Sequence, residues 1–142
     1  MNDIIVGVDR SETASRAAET AADMAAAHDV NLHVVMCVDR TSPVTMEIGT
    51  DVFHHADALA DAEHYLASMT LSLQHDSISH AVGFTDPAAM LCEEAKRLQA
   101  RAIVVGNRRV QGLTRVLGTV AGDVTRKAPC DVLVANTTID AA

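Results

Sequence analysis

Five short runs of apolar residues alternate along this chain with four longer segments in which apolar residues recur at helical spacing. Runs that are apolar at nearly every position are typical of strands buried on both faces of a parallel sheet. The alternation therefore predicts an α/β fold, a doubly wound, five-stranded parallel sheet in three α/β/α layers. We predict its strands at residues 3–8, 31–38, 77–82, 102–105 and 131–135.

Start signals mark three of the four intervening helices, and apolar stripes run along them. Ser11 is a suitable N-cap for the first helix, whose inner face is mostly alanine. Asp86, followed by Pro87 at the first helical position, begins the third helix. We predict the fourth helix from Gly118 and Thr119 onward. The second helix spans roughly residues 51–73, and we expect its inner stripe to include Leu59, Leu66, Met69 and Leu73.

Composition limits the classes of partner. The chain has 142 residues, 49% of them hydrophobic, so we expect one folded domain over residues 1–142. Aromatic residues make up only 2%, which leaves no stacking platforms for single-stranded nucleic acid. The formal net charge of -8 repels both nucleic acid and anionic lipid. We therefore expect neither nucleic acid nor a membrane as a partner.

The cysteines and the amino terminus bear on the compartment. Cys37, Cys92 and Cys130 are odd in number and widely spaced, which does not fit a disulfide framework. The first residues, MNDIIVGVDR, contain no signal-peptide pattern, and no apolar stretch is long enough to span a bilayer. These features predict a reducing, cytoplasmic location.

Ligands of open α/β sheets bind at the carboxyl ends of the strands, near the point where strand order reverses. This rule selects residues 7–10, 37–40 and 106–109. A phosphate could be bound after the fourth strand, because glycines let backbone N–H groups approach it and a helix N-terminus at Gly118 and Thr119 supplies free donors. On spacing alone, a phosphate site and simple glycine turns are equally well supported.

Three blocks of the sequence resemble the universal stress protein family: VGVDRSE, VVGNRR and RVLGTVAGDVTRKAPCDVLVA. The resemblance covers the whole chain and implies the adenine-nucleotide alpha-hydrolase-like fold. The nucleotide-binding branch of that family carries the pattern G-x2-G-x9-G-S/T. Gly106 matches its first glycine, and Gly118 with Thr119 matches its closing pair. Arg109 replaces the second glycine, and the spacer before Gly118 is one residue shorter.

The resemblance implies a site for ATP or another adenine nucleotide, with or without Mg. Asp9 would accept hydrogen bonds from ribose hydroxyls or lie near a metal, although it could also cap the first helical region. The backbone of Cys37 would meet adenine, and Gly106 with Asn107 would form the ribose–phosphate turn. The complete set of expected nucleotide-binding residues is Gly7, Asp9, Cys37, Gly106, Asn107, Arg109, Gly118, Thr119 and Val120.

Three functions follow as hypotheses. The first is a stress-response module that binds the nucleotide as a sensor or switch. The second is a nucleotide-independent interaction protein in which Arg109 remodels the phosphate loop. The third, a weak ATP hydrolase, is disfavoured because no G-x-S-x-G elbow and no Walker A lysine are present. We expect no catalytic residue and no metal ligand, and the family resemblance implies a homodimer formed through the last strand.

Overall fold

All nine predicted elements are present, in the predicted order. The computed structural model describes residues 2–38, 51–107 and 119–137, and within 51–57 only the backbone. The elements are β1 (Ile4–Val8), α1 (Glu12–His28), β2 (Leu32–Cys37), α2 (Asp51–Ser72), β3 (Ile78–Gly83), α3 (Pro87–Leu98), β4 (Ala102–Gly106), α4 (Thr119–Lys127) and β5 (Asp131–Ala135).

The five strands form one parallel sheet in the order β3-β2-β1-β4-β5. β1 lies at its centre, where Ile4 pairs with Leu32 of β2 on one side and with Ala102 of β4 on the other. The chain therefore moves outward from β1 in one direction through β2 and β3, and in the other direction through β4 and β5. This reversal of strand order at β1 is the feature that positions the site.

Two apolar cores lie on the two faces of the sheet, because successive side chains of a strand point to opposite faces. Ile4 and Val6 of β1 pack with α1 and α2. Ile5 packs on the other face with α3 and α4. All three side chains are fully buried. The continuous apolar strands seen in the sequence are thus explained by helices that cover both faces.

The predicted starts of α1 and α3 are confirmed. Ser11 is the N-cap of α1, and its Oγ accepts the backbone N–H of Ala14 at 3.2 Å. Asp86 caps α3 in the same way, with Pro87 in the first turn. Ala17, on the face of α1 that meets the sheet, is completely buried. Its small side chain lets α1 pack close against the central strands.

The predicted inner stripe of α2 is only partly right. Leu66, Met69 and Leu73 are buried against the sheet, but Leu59 is 37% exposed. Among the α2 side chains that are described, those from residue 58 onward, the buried ones are Ala62, Leu66 and Met69. The helix packs over β2 and β3. Helical spacing shows which residues share a face, but it does not show how far the sheet beneath that face extends. No helix in the described ranges is long and apolar enough to cross a membrane.

Candidate functional site

A cavity of about 290 Å³ opens where β1 and β4 end, at the point of strand-order reversal. Nine residues were predicted to form a site here, and seven of them are among the described residues. All seven line this cavity: Gly7, Asp9, Cys37, Gly106, Asn107, Thr119 and Val120. Arg109 and Gly118 lie outside the described residues. The topology thus brings together positions that are more than one hundred residues apart in the chain.

The turn between β1 and α1 forms the polar rim of the cavity. Asp9 Oδ1 accepts the backbone N–H of Ser11 at 2.8 Å, and the hydroxyl oxygens of Ser11 and Thr13 are 2.9 Å apart. Asp9 therefore shapes the turn while it also lines the cavity, so the capping role and the ligand role are compatible. Ser11 and Thr13 line the cavity too, and the sequence did not single them out as site residues.

The first turns of α3 form an apolar wall that the sequence analysis did not assign to the site. Pro87 and Leu91 line the cavity from this helix. Leu91 packs against the backbone of β1 at Gly7, where an added Cβ atom would lie 2.9 Å from Leu91 Cδ1. Gly7 thus has a packing role that its position at a strand end did not reveal.

Cys37 contributes a neutral thiol to the same wall. Its Sγ atom lies 3.3 Å from Met90 Sδ on α3. Burial, and secondarily the negative charge of Asp86, raises the pKa of the Cys37 thiol to about 11. The side chain therefore stays protonated at neutral pH and presents a soft, uncharged surface. Such a surface suits the flat face of an aromatic ring better than a charged group.

The end of the cavity that would bind an anion lies at α4. Thr119, Val120 and Ala121, in the first turn of this nine-residue helix, line the cavity. Free backbone N–H groups and the positive end of the helix dipole favour a negative charge at such a position. Among the described lining residues, none is a lysine or arginine and Asp9 alone is charged. Among these described residues, the groups that could bind an anion are therefore backbone N–H groups and hydroxyls.

Residues 2–38, 51–107 and 119–137 contain no group of three or more His, Cys, Asp or Glu residues placed to bind a metal ion. Cys37, Cys92 and Cys130 are free cysteines.

The comparisons with known proteins agree with this arrangement. The family profile described as the Universal stress protein family matches residues 1–136. The chain belongs to the universal stress protein family. None of the curated proteins matches it.

Solved structures similar to this universal stress protein come from the same family. The universal stress protein UspA from Lactobacillus plantarum is 24% identical, with a TM-score of 0.73 over 94% of this chain and 96% of that one. A universal stress protein in complex with cAMP is 25% identical, with a TM-score of 0.64 over 96% and 98% of the two chains. The protein from Archaeoglobus fulgidus in complex with dAMP is 23% identical, with a TM-score of 0.64 over 94% and 97%.

These likenesses identify the fold. The five-stranded, all-parallel sheet with helices on both sides is the adenine-nucleotide alpha-hydrolase-like arrangement that the family resemblance implied. The position of the cavity follows from that arrangement, because the strand order reverses at β1.

Proposed function

We propose that this universal stress protein is a stress-response module that binds an adenine nucleotide and acts as a sensor or switch. The observation that carries the proposal is the meeting of seven predicted nucleotide-binding residues around one cavity at the β1–β4 crevice. The topology gathers the strand ends whatever their function, so the support for a ligand comes from what they enclose, a cavity that these residues share with the first turn of α4.

The chemistry of the cavity wall supports a nucleotide with a base at one end and a phosphate at the other. Val35, Cys37 and Leu91 offer apolar surface for a base, whereas the first turn of α4 offers N–H donors at Thr119 and Val120. Two similar structures are complexes with adenine monophosphates, cAMP in one and dAMP in the other. Those ligands support an adenine nucleotide for this chain. That the nucleotide is ATP, with or without Mg, is part of our proposal.

Mass spectrometry of small molecules released from freshly purified protein tests the proposal directly, and calorimetry with ATP, AMP and cAMP, each with and without magnesium, extends it. We expect Asp9→Ala to weaken binding, since Asp9 lines the cavity. Asp23→Ala, on an exposed position of α1, is the matched control and should bind like the parent. If no adenine nucleotide is retained or bound at millimolar concentration, the proposal is wrong.

One sequence feature favours a second function. Arg109 stands where the family pattern has its second glycine, so the protein could act through its surfaces without a nucleotide. Arg109→Gly separates the two functions. If the variant binds ATP and the parent does not, the nucleotide-independent function gains support. If the parent already binds well, this second function is excluded.

The same proposal includes a homodimer formed through β5. Within the described residues β5 pairs with β4 only, so its outer edge is open, and Leu133 on that strand is 37% exposed. An edge strand with an exposed leucine is stabilised by pairing with another strand. A second copy of this chain offers the same strand.

We propose a binding protein and not an enzyme. Asp9 is the only carboxylate among the described residues that line the cavity, and one of its oxygens already accepts a backbone N–H. Slow ATP hydrolysis that disappears in Asp9→Ala, while nucleotide binding persists, would contradict this part of the proposal.

A further inference from the structure

Thr137 lies two residues beyond β5, outside the predicted site, yet it is 1% exposed and bound to Asn107. Its backbone N–H donates to Asn107 Oδ1 at 2.9 Å. Its hydroxyl lies 2.7 Å from the Asn107 carbonyl oxygen and 2.8 Å from Asn107 Oδ1, and donates to one of them at a time. The backbone N–H of Asn107 donates to the Ala135 carbonyl at 3.2 Å.

These contacts determine which way the Asn107 amide faces. A backbone N–H can only donate, so the side-chain atom that faces the Thr137 N–H must be the oxygen Oδ1. The NH₂ group on the same carbon is then turned away from Thr137. Asn107 itself lines the cavity. The amide therefore has a fixed orientation in which its acceptor is engaged by the protein.

We infer that Thr137 is a positioning residue that turns the Asn107 NH₂ group toward the cavity as a hydrogen-bond donor. The group it would meet is an oxygen acceptor of the nucleotide, either a ribose oxygen or a phosphate oxygen. This inference rests on the proposed function, because it assigns a specificity to the same cavity. The Thr137 backbone N–H is present whatever the side chain, so the hydroxyl is the part of this anchor that a substitution removes. With the N–H alone, the amide is held by one hydrogen bond and turns more easily to present its oxygen, which a phosphate would repel.

Both halves of the threonine side chain have neighbours, and this defines the variants. An added Cβ atom on Gly106 would lie 3.2 Å from Thr137 Cγ2, so the methyl group packs against the end of β4. Thr137→Ser keeps the hydroxyl and loses the methyl group, whereas Thr137→Val keeps the shape and loses the hydroxyl. If the hydroxyl positions Asn107, the two variants differ in nucleotide affinity.

Calorimetry with AMP and ATP tests the role of the hydroxyl. We expect Thr137→Val to weaken affinity about three- to tenfold, the value of one hydrogen bond, and Thr137→Ser to restore most of it. Ile103→Val, a fully buried core change away from the cavity lining, controls for stability and should leave affinity unchanged. Equal losses in the Val and Ser variants would overturn the inference.

A double-variant cycle separates positioning from general support of the site. In an Asn107→Ala background, Thr137→Val should change affinity no further, because Thr137 acts through Asn107. Additive losses of affinity would mean that Thr137 acts on the cavity by some other route, and the inference would be wrong.

An NMR measurement without ligand distinguishes this inference from the proposed function. The Nδ2 protons of Asn107 should give nuclear Overhauser signals to protons of the cavity-lining residues in the parent and in Thr137→Ser, and weaker signals in Thr137→Val, where the whole amide turns more freely. The two protons themselves stay distinct in every variant, because rotation about the amide C–N bond is slow. If those signals are unchanged in Thr137→Val, the positioning role fails even where AMP binds. If the signals change as expected but neither AMP nor ATP binds, the proposed function and the assigned ligand are wrong. The role of Thr137 in orienting the Asn107 amide would still hold.

Discussion

The Nε2 atom of His33, on β2, lies 2.7 Å from Oε2 of Glu94, on α3. His33 is 4% exposed, so this pair joins the sheet to the helix in a buried setting. The ionised carboxylate of Glu94 can only accept, so His33 Nε2 is the donor, and in the neutral ring Nδ1 accepts from the Ser79 hydroxyl at 2.7 Å. Glu94 follows Met90, the residue that contacts Cys37, by four positions on α3.

Replacing Glu94 should weaken this attachment of α3. Two hydrogen bonds from Arg97 and one from His33 lower the pKa of the Glu94 carboxyl, with the Arg97 bonds as the largest cause, against an opposing effect of burial. We expect Glu94→Gln to lower the free energy of unfolding by about 1 kcal/mol at neutral pH, the difference between a charge-assisted and a neutral hydrogen bond. Urea unfolding measures it.

The pH dependence of that difference has a defined sign. Because the folded-state pKa is below the ordinary glutamate value of 4.5, the stabilisation is fully present above that value. The extra stabilisation disappears as the pH falls through the lowered pKa, because the Glu94 carboxyl is then protonated and as neutral as the amide of the Gln variant. Glu93→Gln, at the exposed neighbouring position, should show no comparable loss. A difference between Glu94→Gln and the parent that grows in acid would contradict this account.

The Cys37 thiol should react slowly. A pKa raised from 9.0 to about 11 lowers the thiolate fraction at neutral pH by about a hundredfold, and the thiolate is the reacting form. A variant with Cys92→Ser and Cys130→Ser isolates this thiol. We expect its alkylation to be at least tenfold slower in the folded protein than in urea, and slower still with bound nucleotide. Equal rates in both states would exclude a buried thiol.

Gly7 should resist the smallest possible side chain. A Cβ atom there would lie 2.9 Å from Leu91 Cδ1, and Leu91 is only 2% exposed, so it has little room to move. We expect Gly7→Ala to lower the free energy of unfolding by about 1–3 kcal/mol, the usual cost of overpacking. Combined with Leu91→Ala, which removes the clashing atoms, the two losses should be less than additive in thermal or urea unfolding.

Gly122 provides the matched glycine control. Within α4, an added Cβ atom would have Arg126 Nη1 as its nearest neighbour, at 3.9 Å, so there is room for a methyl group. Gly122→Ala should therefore raise the free energy of unfolding by about 0.5–1 kcal/mol, because alanine loses less conformational entropy in a helix. Similar effects of Gly7→Ala and Gly122→Ala would show that packing at Gly7 is not the cause.

Local sequence patterns predicted the strands and helices of this protein. They missed contacts between residues that are far apart in the sequence. Apolar runs and N-caps located every strand and helix, because those signals lie within a few residues. His33 and Glu94 are 61 residues apart, and Asn107 and Thr137 are 30 apart. Such pairs meet only once strand order and register are known, and spacing along the chain does not determine either. The same limit explains why Leu91 was not predicted to line the cavity.

The outer edge of β5, which has no partner strand among the described residues, leads to the last prediction. Leu133 is the middle residue of this five-residue strand. In a two-fold dimer, an axis near the strand centre would bring the two copies of Leu133 close together. Leu133→Glu would place like charges there, so we expect it to be monomeric by sedimentation or light scattering while the parent is dimeric.

Leu71→Glu is the matched control. Leu71 lies on α2, away from β5, and is 88% exposed, so this variant makes the same leucine-to-glutamate change outside the proposed interface. It should leave the dimer intact, which excludes a general effect of added negative charge on a chain of net charge -8. A monomeric parent, or a Leu133→Glu variant that still dimerises, would rule out assembly through β5. Dissociation by Leu71→Glu alone would instead place the interface on α2.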